Sequence, residues 1–244
     1  MSDGVVQNDQ LALICGYSGT GKSASLRNIK NQERWYYINS EAGKRLPFRN
    51  KFQVFNLVDP MDVFNGFAAA KDDPAVDGVI VDSITFLMDM VETQYVITST
   101  NTQQAWGQFA QYFKQLMQQS VASLGKPAIF TAHVLDVLDE KNMEMKTSVP
   151  VKGSLKNNGV EAYFSTVVAT KKMTIKDLEP YKNDLLNISD EEKELGFKHV
   201  FQTRITKKTT GERIRSPMGM FTKEETFIDN DAQLLLNRLN EYYK

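Results

Sequence analysis

Residues Leu11-Ala12-Leu13-Ile14-Cys15, followed by Gly16-Tyr17-Ser18-Gly19-Thr20-Gly21-Lys22-Ser23, decide how the rest of the chain is read. Five consecutive apolar residues are the form of a strand covered on both faces. The next eight are a complete G-x-x-x-x-G-K-S pattern, the phosphate-binding P-loop. Each position has a mechanical reason. The glycines let the backbone take a strained loop whose successive N–H groups point inward at phosphate oxygens, Lys22 supplies a point charge at the β- and γ-phosphates, and the Ser23 hydroxyl ligates Mg²⁺. The candidate nucleotide-binding positions are therefore Gly16, Ser18, Gly19, Thr20, Gly21, Lys22, Ser23 and Ala24, with ATP and Mg²⁺ as ligands. A helix over residues 23–29 is expected to aim its N-terminus at the same anion.

Outward from the loop, short β-type runs alternate with helical patterns: strands at 35–39, 52–57, 78–81 and 127–131, helices at 60–70, from Ile84 past Tyr95, and up to Leu124. That order predicts βα units in an α/β fold, a mostly parallel sheet flanked by helices. The apolar stripe Trp106, Phe109, Ala110, Phe113, Leu116, Met117, Val121 and Leu124 reads as core packing against the sheet. The second half is less regular. Residues 134–151 suggest a projecting hairpin or long loop, 163–170 and 200–205 further strands, and 231–243 an amphipathic helix, making a β-rich C-terminal extension. Residues 174–198, charged and with Glu179-Pro180, predict a mobile surface insertion. No domain boundary is placed there, so residues 1–244 form one domain.

Composition limits the function. The 29 Lys+Arg nearly cancel 30 Asp+Glu, which excludes coating of nucleic acid by bulk charge; a polyanion site must be local. The single Cys15 forms no internal disulfide, and a reducing cytoplasm is the expected compartment. Apolar runs are strand-sized, so no membrane partner is expected, and Met1-Ser2-Asp3-Gly4 lacks the form of a signal peptide.

A P-loop calls for an acid at the end of a neighbouring strand, and Asp82 follows Val79-Ile80-Val81. The alternative is that Asp82 or Ser83 caps the helix beginning near Ile84. Many P-loop mechanoenzymes place a catalytic Glu directly after this Asp, whereas here the next residue is Ser83. The runs Tyr36-Tyr37-Ile38-Asn39-Ser40-Glu41 and Val79-Ile80-Val81-Asp82-Ser83-Ile84-Thr85 instead resemble the RecA-type ATPases. That resemblance implies Glu41 as general base, the alternative being a solvated acid beside Lys44 and Arg45. It also implies that His133, ending Ile129-Phe130-Thr131-Ala132-His133, senses the γ-phosphate and passes its presence to the loop that follows. The motifs, residues 150–167 and the segment Arg213-Ile214-Arg215-Ser216-Pro217-Met218-Gly219-Met220-Phe221 are similar to the phage-encoded RecA-like proteins of the single-strand annealing Sak group. Membership would imply single-stranded DNA as partner, a single-strand-binding protein beside it, self-assembly into a homo-oligomer, and the cytoplasm of the phage host. With the P-loop beginning at Gly16, no separate oligomerisation domain is expected before it.

The residues themselves give little support for DNA. The loop 134–158 contains Lys141, Lys146, Lys152 and Lys156 but also Asp136, Asp139, Glu140 and Glu144, and no aromatic on which a base could stack. A denser patch, Lys207-Lys208-Thr209-Thr210-Gly211-Glu212-Arg213-Ile214-Arg215, is expected to be a basic hairpin reaching a phosphate backbone or a neighbouring protomer through Lys207, Lys208, Arg213 and Arg215. Two other classes compete. A nucleotide-dependent switch that assembles with a partner would share the same loop. A small-molecule kinase would need a lid with arginines, and residues 174–198 contain none.

Overall fold

The computed structural model describes residues 8–244, so the reading of Met1-Ser2-Asp3-Gly4 falls outside them. Among these residues β1 (Leu11–Gly16) runs inside an eight-stranded sheet with β2 (Trp35–Asn39), β3 (Gln53–Asn56), β4 (Gly78–Asp82), β5 (Ala128–His133), β8 (Thr166–Thr174), β9 (Phe197–Gln202) and β10 (Phe227–Asp229). The order is β10-β9-β8-β1-β5-β4-β2-β3, and only β9 runs against the others. The mostly parallel α/β sheet expected from the sequence is thus observed. β6 (Leu135–Asp139) and β7 (Glu144–Ser148) form a separate antiparallel hairpin directly after β5.

Strand alternation sorts the core into two layers. Leu13, Val79, Val81 and Phe130 face Phe67 of α1 (Asp62–Asp72), Leu87 of α2 (Ile84–Val91) and Phe109 and Phe113 of α3 (Thr102–Gln115). Their neighbours Ala12, Ile14, Ile80 and Ile129 face the other way, towards Leu26, Ile29 and the C-terminal helix. With both faces covered, β1, β2 and β4 are buried almost throughout, whereas edge strand β3 is exposed. The expected stripe from Phe109 to Leu124 is core, its last part wound as a π-helix over Leu116–Val121.

The helix expected after the loop is present, as a six-residue 3₁₀ helix over Ser23–Asn28. Ser25 Oγ donates to the Lys22 carbonyl at 2.6 Å, competing with the α ladder, and so short a segment adds little dipole at its start. The insertion 174–198 is not a loose loop. Short helices α5 (Ile175–Leu178) and α6 (Asp190–Leu195), after α4 (Leu155–Asn158) in the chain, lead into β9, and Leu178 and Leu186 bury against Val200 and Phe227 in a small core of their own. Residues 207–215 form turns, not a hairpin; single bridges tie Glu212 to Thr147 and Arg215 to Val167. Helix α7 (Ala232–Tyr243) closes the fold, placing Leu235, Leu236 and Leu239 on the second core layer.

Candidate functional site

The order of strands brings the chemistry together. The P-loop leaves β1, β5 lies between β1 and β4, and β2 flanks β4, so Lys22, His133, Asp82 and Glu41 all gather at the carboxyl ends of adjacent strands. The loop is glycine-dependent at two points. A Cβ on Gly16 would stand 2.0 Å from Thr170 Oγ1, and Gly21, at φ +101°, would carry one 2.6 Å from Asn230 Nδ2. Lys22 is nearly buried. Its ammonium donates to the Gly16 and Tyr17 carbonyls at 3.0 and 2.9 Å and lies 3.4 Å from His133 Nδ1. Burial lowers its pKa to about 8, against the charges of Asp82 and Glu41 that raise it.

Asp82 is 1% exposed, and three hydroxyls donate to its carboxylate: Ser23 at 2.9 Å, Tyr37 at 2.8 Å and Thr131 in a short bond. It does not cap α2: the N-cap position is Ser83, whose side chain makes no capping bond. The donor set fits Mg²⁺. Ser23 and Asp82 offer hard oxygens at 2.9 Å separation, and no cluster of three or more His, Cys, Asp or Glu suited to a metal occurs among the described residues. Mg²⁺ keeps several waters and takes one or two protein oxygens plus phosphates, so such a pair suffices.

Glu41 is placed by its own turn: Asn39 Oδ1 accepts from the Glu41 amide at 2.9 Å, and Asn39 Nδ2 donates to the Lys44 carbonyl at 3.1 Å. Ser40 Oγ donates to the Ser83 carbonyl and accepts from the Ser83 amide, at 2.8 and 2.9 Å, tying the end of β2 to that of β4. The Glu41 side chain is 7% exposed, 3.4 Å from His133 Nε2, and accepts from Lys44 at 2.7 Å. The His133 bond and then Lys44 hold its pKa down to about 2, burial pushing the other way. It is not a solvated loop acid. His133 stands between the two charged groups, and the tautomer with the proton on Nε2 suits both, accepting from Lys22 and donating to Glu41.

A cavity of about 490 Å³ runs from Lys22, Ser23 and Glu41 to Lys198, His199 and Asn230, a size suited to a small-molecule ligand. A second, of about 460 Å³, meets it at Ser18, Glu41 and His133. Sequence reading missed the far wall: Asn230 and His199 lie more than 170 positions from the loop they touch, with no local signal, and Lys198 belonged to the supposed mobile insertion. Tyr37 and Thr131 were findable, because a polar residue inside an apolar strand has to bond something when buried.

The basic candidates are of two kinds, paired and exposed. Lys152 is paired with Glu92 at 2.7 Å, and Arg213 bonds the buried Glu161 and the Asn158 carbonyl at 3.1 and 3.0 Å. Lys156, Lys207, Lys208 and Arg215 are exposed. The 206–212 segment lies along β7, since the Thr147 amide donates to the Gly211 carbonyl at 3.0 Å and Thr210 Oγ1 to Glu144 at 3.1 Å.

The sheet and the loop at its carboxyl edge define a P-loop ATPase. Residues 8–211 match the AAA domain family, and the chain belongs to it. A search of curated proteins finds no match. Among solved structures, the chain is similar to the crystal structure of the RadB recombinase, with a TM-score of 0.41 and 16% identity over 68% of this chain and 76% of that one. No helix among the described residues is long and apolar enough to cross a membrane.

Proposed function

We propose that this ATPase binds ATP with Mg²⁺ through residues 16–24, hydrolyses it with Glu41, and uses the cycle to change its hold on single-stranded DNA. The observation that carries the reading is the bridge Lys22, His133, Glu41, set at the foot of the β6–β7 hairpin. Bound Mg²⁺ would supply charge stabilisation at the phosphates; Ser23 would ligate it and Asp82 would hold its water shell. Glu41 at a pKa of about 2 is a weak base while His133 and Lys44 hold it. Phosphate that draws His133 away would raise its basicity. Glu41 would then take a proton from the attacking water as the oxygen–phosphorus bond forms and ADP leaves with the electron pair of the broken bond.

The DNA step is supported by the exposed hairpin side chains, Leu135 and Val137 on one face and Leu138 and Met145 on the other, and by the exposed Lys207 and Lys208 in the segment that runs on to β7, which together offer apolar and cationic contact. Assignment to the phage Sak-type group, self-assembly, a single-strand-binding protein as neighbour and a host-cytoplasmic location follow from the resemblance in the motifs. One observation favours the alternative of a nucleotide-dependent protein switch: the hairpin has no aromatic residue, and its Lys146 is already paired with Asp139. ATP hydrolysis and labelled-oligonucleotide anisotropy, each with ATP or ADP at two salt concentrations, test the reading. Strand-stimulated turnover and salt-sensitive binding are expected, as is loss of the ATP-versus-ADP difference in His133→Ala. No strand binding by the wild type at low salt sinks the DNA function and leaves the switch.

A further inference from the structure

The far wall of the cavity holds the loop rather than merely facing it. Asn230, 2% exposed, donates from Nδ2 to the Gly21 carbonyl at 2.9 Å, and His199 Nδ1 lies 3.0 Å from the Thr20 carbonyl, where it must donate. A trans peptide points its C=O and the next N–H in opposite directions. Fixing the Thr20 carbonyl therefore turns the Gly21 N–H away from His199, and fixing the Gly21 carbonyl does the same for Lys22 N–H. Both amides are thereby held on the side of the loop away from the two donors. Gly21 is the residue that permits the approach, since any Cβ there would strike Asn230 Nδ2 and come within 3.5 Å of His199 Nδ1. The two side chains sit on β9 and just after β10, and these strands are braced by Lys198, which pairs with Glu192 at 2.7 Å and with Asp229 at 3.2 Å. The short 3₁₀ helix after the loop offers little of the rigidity that a long helix would.

We propose that Asn230 and His199 are positioning residues that preset the peptide planes of the P-loop for phosphate. The proposal rests on the nucleotide reading above and adds the residues that make the cradle ready before ligand arrives. Their side chains act through the loop and need not touch the nucleotide.

The test measures binding of ATP and of inorganic tripolyphosphate, with Mg²⁺, by calorimetry on the full chain, together with the thermal midpoint of each variant. Asn230→Ala and His199→Ala should each weaken both ligands about tenfold, the worth of one such hydrogen bond at about 1.4 kcal/mol. His199→Asn, whose amide nitrogen can take the place of Nδ1, should recover most of the loss. A wall that served only the nucleoside would lose ATP affinity and spare tripolyphosphate, which overturns the proposal. A purely structural role would lower the midpoint, and His199→Asn would not restore binding; that overturns it too. Unchanged affinity in both alanine variants while the wild type binds ATP rejects the positioning role alone, whereas a wild type that binds neither ligand removes the nucleotide reading and the proposal together.

Discussion

Asp82 and the β6–β7 hairpin, both reached from the carboxyl ends of central strands, obey opposite rules. Around Asp82 the donors converge: Ser23, Tyr37 and Thr131 all bond one buried carboxylate. Burial also keeps the Tyr37 hydroxyl protonated, its pKa pushed up by burial first and the Asp82 charge second. A few steps along β5 and out, Leu135, Val137, Leu138, Met143 and Met145 stand in solvent. The buried network is costly to disturb because a lost partner leaves an unpaired group in low dielectric. The hairpin loses little on substitution, and its apolar side chains gain by being covered. One region keeps a single geometry; the other, on the proposed reading, meets a ligand. What joins them is small: Tyr17, inside the P-loop, donates to Asp136 on β6 at 2.5 Å, and Thr147 on β7 donates to the same oxygen at 2.6 Å.

The largest effect is expected on the rigid side. Lys22→Ala should weaken ATP by about two orders of magnitude or more, the scale of two charge-assisted hydrogen bonds. The Gly16 and Tyr17 carbonyls that Lys22 now satisfies will lose a partner, so the unliganded protein should melt slightly earlier. Equal ATP affinity in wild type and mutant would remove the basis of the comparison.

Glu41→Gln should leave ATP and Mg²⁺ bound while turnover falls by about a hundredfold, in the range for loss of a general base. Asp82→Asn should instead shift the Mg²⁺ dependence. Single-turnover hydrolysis with a Mg²⁺ titration separates them, and normal turnover in Glu41→Gln would mean that another group activates water.

A pH series sharpens the rigid side further. The Lys22 amine, with its pKa near 8, is protonated in the free protein below that pH. A phosphate polyanion favours the charged form, so above about pH 8 binding must take up a proton and affinity should fall as pH rises, by at most about tenfold per pH unit. The sign follows from the complex holding more protons than the free protein. Lys22→Arg, always charged, should flatten the profile; a fall of the same slope in that variant would assign it elsewhere.

The smallest effects belong to the joint and the exposed surface. Tyr17→Phe removes one partly exposed hydrogen bond worth about 1 kcal/mol. It should spare ATP binding yet reduce the difference between ATP and ADP states in strand affinity by a few fold. Lys207→Glu with Lys208→Glu should lower strand affinity in both states and shallow its salt dependence. If strand affinity is indifferent to all three substitutions, the hairpin side of the comparison is wrong about its ligand.

How much of this was legible depended on how far apart the partners lie in the chain. Residues 11–23 carry their meaning locally, because strand, glycines, lysine and serine act within one turn; Asp82 was suggested by its place after an apolar strand, and Glu41 only by the resemblance of its motif to RecA-type ATPases. The stripe from Phe109 to Leu124 announced a buried face by spacing alone. The short 3₁₀ helix was less legible, since Ser25 could bond either solvent or the Lys22 carbonyl. The same holds for residues 174–198, where charge pattern suggested exposure while Leu178, Leu186 and Ile188 were gathering a core with Val200 and Phe227. The basic run 207–215 looked like one patch; Arg213 is drawn inward by Glu161, fifty-two positions away.

The sequence by itself determined the loop, the strands, their two-faced apolar alternation and Asp82 at the end of one of them, because each depends on chemistry repeated over a few residues. Only the tertiary structure decided that His133 would sit between Lys22 and Glu41, that Thr131 and Tyr37 would saturate Asp82, and that Asn230 and His199 would reach back to the loop. Those contacts depend on strand order, β5 inserting between β1 and β4 and the C-terminal strands folding onto the side of β8. Strand order is set by the whole set of packed layers competing for burial, and no short window of residues contains it.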